Sequence, residues 1–318
     1  SDFSDKKGLT VTEIMDAVHD GDIRSLYVLG ENPAMSDPDV RHARQALAAL
    51  DHLVVQDLFL TETAFHADVI LPASAFPEKE GTFTNTNRQV QVGRKALPLP
   101  GNTRQDLWII QEIARRIGLD WEYTSTAEVF AEMAACMPSF KGITWQRLQK
   151  EDSITYPVSE NGIGQEVIFR EGFPTKSGRG RFVPANVSPP DEVPDREFPM
   201  ILTTGRVLEH WHTGAMTRRA GVLDSLEPEA TANLSPKALR KMNIVVGDMI
   251  RVETRRGVIE LKARADRDVP DGMVFIPFCY AEAAANLLTN AALDPFGKIP
   301  GFKFCAARVN KSPDVAAE

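Results

Sequence analysis

The sequence predicts an α/β domain with a parallel sheet, followed by a β-barrel domain. Three observations support this fold class. Short apolar runs alternate with helical stretches in the first half, a tract rich in glycine and proline follows, and the second half alternates apolar and polar residues as strands do. A chain of 318 residues is long enough for two domains with cores of their own. We expect these domains to span residues 1–190 and 198–318.

The first half contains the elements that build a parallel sheet. The expected elements are strands at 25–30, 52–57 and 68–73, and helices at 37–51, at 61–67 and within 103–137. Parallel strands need crossover connections, and the first two helices lie between the strands where crossovers are required. We therefore expect a sheet that is covered by helices.

The second half has the pattern of an antiparallel barrel. Residues 247–266 alternate through Ile250 and Val252, turn at Arg256 and Gly257, and return through Ile259, which is typical of a hairpin. Another apolar run covers 272–278, and a short helix is expected after Ser235. We expect a compact antiparallel barrel with one short helix.

Composition excludes several classes of protein. Hydrophobic residues make up 43% of the chain and the formal net charge is −8, which disfavours both disorder and broad nucleic-acid binding. Neither an apolar run of membrane-spanning length nor a secretion signal is present in the sequence, so we expect a cytoplasmic protein with no membrane partner. The chain begins with Ser1, which predicts a processed chain or a piece of a larger protein.

The three cysteines are Cys136, Cys279 and Cys305, and they are far apart in apolar or small-residue contexts. We expect buried thiols, with no disulfide framework and no zinc or iron–sulfur motif.

Polar residues cluster at the strand ends of the predicted sheet, where ligands of open parallel sheets bind. The candidates are Gly30, Glu31, Asn32, Gln56, Asp57 and Asp68. A carboxylate can accept hydrogen bonds from the N1–H and the exocyclic amine of guanine, and Gly30 would let the backbone come close to a ligand. The alternative is that Asn32 and Asp57 cap turns and helices. The glycine-rich fingerprint of ordinary NAD binding is absent from the sequence.

The segment 78–91 is polar at nearly every position after the third strand. Its candidates are Thr82, Thr84, Asn85, Arg88 and Gln91. The segment is either an exposed hairpin or a loop that lies along a polar ligand, and the residues do not decide between the two.

The stretch 201–219 concentrates hydrogen-bond donors after an apolar strand. The donors are Arg206, His210, His212, Thr213 and Thr217. A metal site would need further ligands, and only Glu209 lies nearby, so the donors favour a phosphate or pyrophosphate site. A solvated charged loop is the alternative, although Trp211 and Met216 would be unusual there.

Two further polar residues stand among apolar neighbours near the end of the chain. Asn286 lies in an apolar, helix-like run, and Lys303 lies between Phe302 and Phe304. A buried amide must be satisfied, either by backbone or by a ligand, and the same choice applies to the Lys303 ammonium.

Six strings in order give a specific resemblance over nearly the whole chain. They are GENPAMSDPD, VVQDLFLTETAFHADVILPA, EGTFTNTNRQVQ, TGRVLEHWHTGAMTRR, ANLLTNAALDP and FKFCAARV. These strings resemble the C-terminal half of the molybdopterin oxidoreductases of the dimethyl-sulfoxide-reductase family. Within that family the chain is most similar to the alpha subunits of NAD-dependent formate dehydrogenases. The runner-up is the periplasmic-type nitrate reductases, which the fourth string resembles equally.

The resemblance implies a fold and a cofactor. Residues to about 190 would complete a three-layer α/β domain, and residues from about 198 would form a six-stranded double-psi barrel. The implied cofactor is bis-molybdopterin guanine dinucleotide with one Mo or W atom. Carried over by position, the guanosine end would be held by Gly30, Glu31, Asn32, Gln56, Asp57 and Asp68. The pterin and pyrophosphate groups would be held by Thr204, Gly205, Arg206, His210, His212, Thr213, Asn286 and Lys303, with Phe278 on the substrate side.

The resemblance also implies what this chain does not carry. Asn87 stands where many relatives have an acidic residue, so an ion pair with Arg88 is not expected. The iron–sulfur clusters, the metal-ligating residue and the catalytic His and Arg would belong to an N-terminal half, so we expect neither a catalytic residue nor a metal ligand here. The expected partners are that half and iron–sulfur and flavin subunits that reduce NAD⁺. The implied activity is oxidation of formate to CO2; the alternatives are a nitrate reductase and a non-catalytic nucleotide-binding module.

Overall fold

The computed structural model describes residues 4–159 and 161–313. The chain divides into two compact units. The first comprises residues up to Ile70 together with those from Val187 onward, and the second comprises Leu71–Asn186. The domain limits expected from the sequence, 1–190 and 198–318, remain a prediction.

The first unit begins with an α/β layer. Its elements are α1 (Val11–His19), β1 (Ser25–Leu29), α2 (Pro33–Ser36), α3 (Val40–Ala49), β2 (His52–Asp57), a 3-10 turn at Ala64–His66 and the start of β3 (Val69–Pro72). The helix α3 buries Val40, Ala43 and Leu47, whose spacing places them on one face of a helix. These side chains pack with Leu53 and Val55 of β2, so the sheet has a covered face.

The sheet is parallel where it was expected to be. Its strand order is β1-β2-β3, and β1 pairs in parallel with β2, from Ser25 opposite His52 to Leu29 opposite Gln56. The amide of Gly30 continues this pairing by donating to the Gln56 carbonyl at 2.9 Å. The carboxyl ends of β1 and β2 therefore lie side by side, which confirms the α/β part of the predicted fold class.

A closed six-stranded barrel forms the rest of the first unit. Its elements are β7 (Met200–Gly205), a 3-10 turn at Thr217–Arg219, α7 (Gly221–Leu226), β8 (Thr231–Leu234), α8 (Pro236–Lys241), β9 (Met249–Glu253), β10 (Val258–Ala265), β11 (Met273–Pro277), 3-10 turns at Ala281–Ala283 and Ala285–Leu287, and β12 (Cys305–Lys311). The strands close in the order β10-β8-β11-β7-β12-β9. Leu202, Leu234, Ile250 and Ile276 are fully buried inside it.

The barrel is mixed, so the expectation of a wholly antiparallel barrel was wrong. Strand β7 pairs in parallel with β11, and β8 pairs in parallel with β10. Each parallel pair joins strands that are distant in sequence, which local alternation of side chains cannot reveal. The predicted hairpin is confirmed, because β9 and β10 pair antiparallel with Ile250 opposite Leu261.

The segment before the barrel is fixed to it by ion pairs. The carboxylate of Glu192 accepts from Arg255 at 2.5 Å and from Arg256 at 2.6 Å, and also from the Ala306 amide at 3.2 Å. The Glu192 side chain is only 11% exposed. Burial alone would raise the pKa of Glu192. The two guanidinium groups outweigh this effect, so the pKa lies below its usual value.

The second unit has its own sheet and helices. Its elements are the end of β3, a 3-10 turn at Phe76–Glu78, β4 (Gly81–Thr84), β5 (Gln89–Gly93), α4 (Asp106–Arg116), α5 (Thr126–Cys136), a 3-10 turn at Pro138–Phe140, α6 (Trp145–Lys150) and β6 (Ile154–Thr155). Strands β4, β5 and β6 pair antiparallel in that order. The core contains Val90, Phe130, Trp145 and Leu148.

The helical stretch expected within 103–137 forms two helices, since Gly118, at φ 86°, follows α4 and Ser125 caps α5 by accepting from the Glu128 amide. One expectation for the second unit was wrong. Cys136, at the end of α5, is exposed, whereas Cys279 and Cys305 are buried as expected. Within the described part of the chain, the helices are all too short or too polar to cross a membrane.

Candidate functional site

The strand-end loops of the α/β layer form one side of a candidate site in the first unit. Gly30 has φ 62°, and a Cβ added there would meet nothing within 4 Å, so the backbone faces open space. Glu31 is exposed, and Asp57 is half-buried with one carboxylate oxygen accepting from the Leu58 amide at 2.6 Å. Burial raises the pKa of Asp57, and the nearby Arg219 charge lowers it in part. This side is therefore open, acidic and able to accept hydrogen bonds.

Asp37 is an acidic residue of this region that sequence reasoning did not identify. It is 6% exposed, and its Oδ2 atom has no hydrogen-bond partner among the residues described. Burial, together with the smaller effect of the Glu31 charge, raises the pKa of Asp37 to about 7. Asp37 lines a groove of about 360 Å³ together with Glu31 and Tyr27. Its sequence signal is slight, since Asp before Pro usually marks a turn.

The loop after β7 supplies cations. Its Arg206 is exposed and lies 5.6 Å from the ring centroid of Phe278, and the His212 ring lies edge-on to the same ring at 5.3 Å. Burial lowers the pKa of His212, and the Arg206 guanidinium lowers it further. Arg206 has no carboxylate partner in residues 4–159 and 161–313, so its charge is available to an anion.

Lys303 adds a second cation beside Arg206. Its ammonium donates to the carbonyl of Thr204 at 2.5 Å, and the Thr204 hydroxyl donates to the Phe302 carbonyl at 2.9 Å. Partial burial lowers the pKa of Lys303, and the neighbouring Arg206 charge lowers it too. The smaller part of this shift comes from the two neighbouring positive charges, which a phosphate group would offset.

Contacts of Arg219 bring the strand-end loops and the barrel loop together. Its guanidinium lies 5.0 Å from the ring centroid of Phe59 and donates to the Leu60 carbonyl at 3.0 Å. The charge of Glu31 also raises the pKa of His212, against the effect of burial. The predicted guanosine side and the predicted pyrophosphate side therefore lie close to each other.

Two predicted site residues, Asn32 and Gln56, form hydrogen bonds with other parts of the protein. The Asn32 side chain accepts from the Thr63 amide and hydroxyl at 3.1 and 2.8 Å, and donates to Glu62 at 2.7 Å. Gln56 is fully buried and accepts from the Tyr27 hydroxyl. Their polar atoms hold neighbouring segments together, so the structure does not support them as contacts to guanosine.

Asp68 lies at the other edge of the sheet from Gly30 and Asp57. Its carboxylate accepts from the amide of Leu53 at 2.7 Å, and Leu53 is at the beginning of β2. The sequence places Asp68 at the start of a strand, and starts and ends of parallel strands lie on opposite edges. Asp68 therefore does not join the strand-end cluster.

His210 is separated from the cationic face. It is 2% exposed, lies edge-on to Tyr280 at 5.7 Å, and donates from Nε2–H to the Glu227 carbonyl at 2.7 Å. Its Nδ1 has no partner within the described ranges. Gly205 is also buried, since a Cβ there would lie 2.3 Å from the Phe275 ring. His210 and Gly205 therefore support the loop, and neither is open to a pyrophosphate. Thr213 is half-buried beside His212.

Asn286 is satisfied mainly by backbone. Its amide donates to the carbonyls of Met35 and Ser36 at 3.1 and 3.0 Å, and the side chain is 3% exposed. The nearby Thr289 hydroxyl accepts from the Asp39 amide at 3.4 Å. Asn286 thus connects the α2 segment to the barrel. Its Oδ1 atom has no partner among the described residues, so a direct cofactor contact, as predicted, would be made by this oxygen.

The polar segment 78–91 forms a hairpin of the second unit. Asn85 closes its turn by accepting from the Gln89 amide at 3.0 Å. Arg88, at φ 66°, donates to the backbone carbonyls of Tyr156 and Glu166. These contacts favour the exposed-hairpin alternative over a loop that lies along a ligand.

Within residues 4–159 and 161–313, His, Cys, Asp and Glu side chains form no group of three or more that could hold a metal ion. The positively charged groups of the site are Arg206, Lys303 and Arg219, and its acceptors are Glu31 and Asp57. This set can bind a ligand with a diphosphate at one end and N–H donors at the other.

Comparison with known families identifies two matching stretches. Residues 1–116 match the family described as "Molybdopterin oxidoreductase", and residues 200–306 match the "Molydopterin dinucleotide binding domain". A solved structure, acetylene hydratase from Pelobacter acetylenicus, superposes with a TM-score of 0.73 over 94% of this chain and 46% of that one, at 20% identity. That likeness concerns the fold alone.

Curated relatives match nearly the whole chain. The F420-dependent formate dehydrogenase subunit alpha of Methanocaldococcus jannaschii is 43% identical over 98% of this chain and 46% of its own length. Subunit alpha of F420-dependent formate dehydrogenase 1 of Methanococcus maripaludis is 40% identical over 96% of this chain and 45% of its own length. The assimilatory nitrate reductase catalytic subunit of Bacillus subtilis is 35% identical over 96% and 44%. The chain thus spans about half the length of these relatives, and the two formate dehydrogenase names lend no support to the NAD expectation.

Proposed function

The chain belongs to the molybdopterin oxidoreductase family, and on this premise we propose that it is the cofactor-binding, C-terminal portion of a formate dehydrogenase alpha subunit. The ligand would be bis-molybdopterin guanine dinucleotide with a Mo or W centre. The observation that carries this proposal is the cationic face of Arg206 and Lys303, with the His212 ring beside it, opposite the open, acidic loop at Gly30 and Glu31.

The residues of the site fit the chemical groups of such a dinucleotide. Arg206 and Lys303 repel each other in the protein alone, and a diphosphate would offset both charges. Asp57 or Glu31 would accept from the N1–H and the exocyclic amine of guanine, as a carboxylate can. The left-handed, unobstructed backbone at Gly30 would let a flat base approach closely.

When bound, the cofactor supplies the redox chemistry. The residues of this chain bind and orient it. Arg206 and Lys303 hold the diphosphate, and Phe278 and His212 form the wall beside it. Phe278 keeps its predicted place on the substrate side as a proposal. We assign no proton transfer to any residue here, so formate oxidation to CO2 is proposed for the full-length subunit.

Several finer expectations stay with this proposal. The division at 1–190 and 198–318 would follow the two family domains. Iron–sulfur clusters and the metal ligand would lie in a further half of the subunit, and separate subunits would carry electrons away. The relatives' printed names give F420 as the electron carrier, so F420 and NAD both belong in the assay.

A nitrate reductase is the second candidate, because the Bacillus subtilis relative aligns over 316 residues. The two candidates share the cofactor and differ in substrate, so the site in this chain does not separate them. A non-catalytic nucleotide-binding module is the third candidate.

The test uses a full-length subunit that contains this sequence, with Arg206→Ala and the matched surface variant Arg240→Ala. We expect Arg206→Ala to carry at least several-fold less molybdenum or tungsten per protein, and to oxidise formate correspondingly more slowly. Arg240→Ala should match the wild type, because Arg240 is exposed on α8. Unchanged metal content and activity in Arg206→Ala would overturn the role of the cationic face.

Substrate assays of the wild-type subunit separate the candidates. Formate-dependent dye reduction supports the first, and nitrate-dependent dye oxidation supports the second. If neither occurs while the 318-residue chain binds GDP in calorimetry, the nucleotide-binding module is favoured.

A further inference from the structure

Arg218 lies in the 3-10 turn Thr217–Arg219, next to Arg219 of the candidate site. Its guanidinium lies 4.6 Å from the ring centroid of Tyr280. It donates to Asp224 at 2.6 Å, to Glu282 at 3.0 Å and to the Pro228 carbonyl at 3.2 Å. The side chain is 22% exposed. A guanidinium held by two carboxylates, a carbonyl and an aromatic face has one favoured position.

The stem of Arg218 packs against the turn that follows His212. Gly214, at φ 76°, is so close that a Cβ there would lie 2.7 Å from both the Arg218 Cγ atom and the Cys279 carbonyl oxygen. The Arg218 amide also donates to the Gly214 carbonyl at 2.9 Å. The turn at Gly214 is therefore confined between Arg218 and Cys279.

The turn fixes the position of His212. His212 has φ 51°, a left-handed conformation that is uncommon for a non-glycine residue and costs free energy unless its surroundings stabilise it. Its ring lies against Phe278, the residue before Cys279. The confinement at Gly214 thus acts on the segment that brings His212 and Phe278 together.

The ring of Tyr280, on which Arg218 stacks, is itself held in place. It is 1% exposed, and its hydroxyl donates to the Glu227 carbonyl at 3.0 Å, which also accepts from His210. Because Arg218 stacks on this fixed ring, movement of Arg218 is limited from that side as well.

We propose that Arg218 is a positioning residue for the diphosphate of the bound dinucleotide, because it confines the Gly214 turn and so holds His212 against Phe278 beside Arg206. The ligand in this inference rests on the proposed function, whereas the effect on His212 concerns the protein alone. In this proposal Arg218 does not contact the ligand, since its Nε and both of its terminal nitrogens donate to Asp224, Glu282 and the Pro228 carbonyl.

The test compares Arg218→Lys with a matched control, Arg308→Lys, in the 318-residue chain. Lysine keeps the charge but cannot reproduce the planar fork and the stacking. Arg308 is a fair control because it also pairs with carboxylates, at 2.8 Å from Glu253, and lies 5.1 Å from the ring centroid of Phe198. The readouts are the pKa of the His212 ring from NMR, assigned with His212→Gln, and calorimetric titration with GDP.

We expect Arg218→Lys to raise the pKa of His212 toward its ordinary value, since a loosened loop exposes the ring, and to weaken GDP binding on the order of tenfold. Arg308→Lys should change neither quantity. If Arg218→Lys loses stability as Arg308→Lys does while the His212 pKa and GDP affinity stay at wild-type values, Arg218 is only structural and the inference is overturned. If the His212 pKa moves but the wild type does not bind GDP, the positioning role stands and the proposed ligand fails.

Discussion

His210 and His212 lie against different aromatic rings although one residue separates them. His210 is buried edge-on to Tyr280, whereas His212 lies edge-on to Phe278 beside Arg206. One histidine therefore supports the loop, and the other faces the candidate site.

Replacing His212 with glycine should separate stability from binding. Glycine removes the steric cost of the left-handed backbone at φ 51°, which stabilises the folded chain. Glycine also makes the unfolded chain more flexible, which opposes this gain, so the free energy of unfolding should change by no more than about 1 kcal/mol. GDP affinity should fall, because the imidazole is lost. Asn243→Gly is the matched control, since Asn243 has φ 55° outside the site. Urea denaturation and calorimetry measure the two effects, and equal GDP affinity in both variants would contradict the role of His212.

Asn286→Ala should destabilise the first unit. The change leaves the carbonyls of Met35 and Ser36 without their donor, and an unsatisfied buried acceptor costs about 1–3 kcal/mol. The control Asn310→Ala removes an exposed amide of β12 and should be nearly neutral. Denaturant titration measures both variants, and equal midpoints would mean that the Asn286 contacts contribute nothing.

Asp37 should make stability depend on pH. Burial raises its pKa from an ordinary 3.8 to about 7 in the folded chain. Between these values the unfolded chain has released the proton and the folded chain has not, so stability is greatest below pH 4 and falls as pH rises to about 7. The full effect is about 4 kcal/mol. Asp37→Asn should lack this component when urea midpoints are compared from pH 4.5 to 8, and parallel curves for the two proteins would refute the assignment.

Glu192→Gln should release the segment before the barrel. The change removes the charge that pairs with Arg255 and Arg256, and breaking a largely buried pair costs about 3 kcal/mol. Because the pKa of Glu192 is lowered in the folded chain, its contribution is present above its ordinary pKa and is lost as pH falls below it. The exposed pair of Glu229 with Lys262 provides the control, Glu229→Gln, with an expected loss below about 1 kcal/mol. Thermal denaturation at pH 7 should rank the two variants in this order.

Local patterns predicted much of the fold. The strand His52–Asp57 has the bounds that its sequence predicts, and the face of α3 buries Val40, Ala43 and Leu47, because periodicity depends on near neighbours only. The mixed barrel was not predictable in the same way. Its parallel pairs join strands such as β7 and β11, which are about 70 residues apart.

The structure brings together only some of the predicted site residues, and the separation of the others has a common cause. Arg206 and Lys303 lie together as the resemblance implies, yet Asn32 uses its amide on Thr63, 31 residues away. The type of a polar residue does not show whether its side chain binds a ligand or a distant backbone group. Only the fold decides which partner it has. Asp37 was missed because burial, which gives it an unusual pKa, is not visible in a turn sequence.

The contact between Asn286 and Ser36 closes a loop of 250 residues. During synthesis, Ser36 leaves the ribosome long before Asn286 exists, by roughly 10–50 s at ordinary elongation rates. Until then the segment at Ser36 lacks the barrel segment that contacts it. If the proposed dinucleotide contacts both segments, it can be inserted only after translation of this region is nearly finished, and a chain truncated before Asn286 would carry an incomplete binding site.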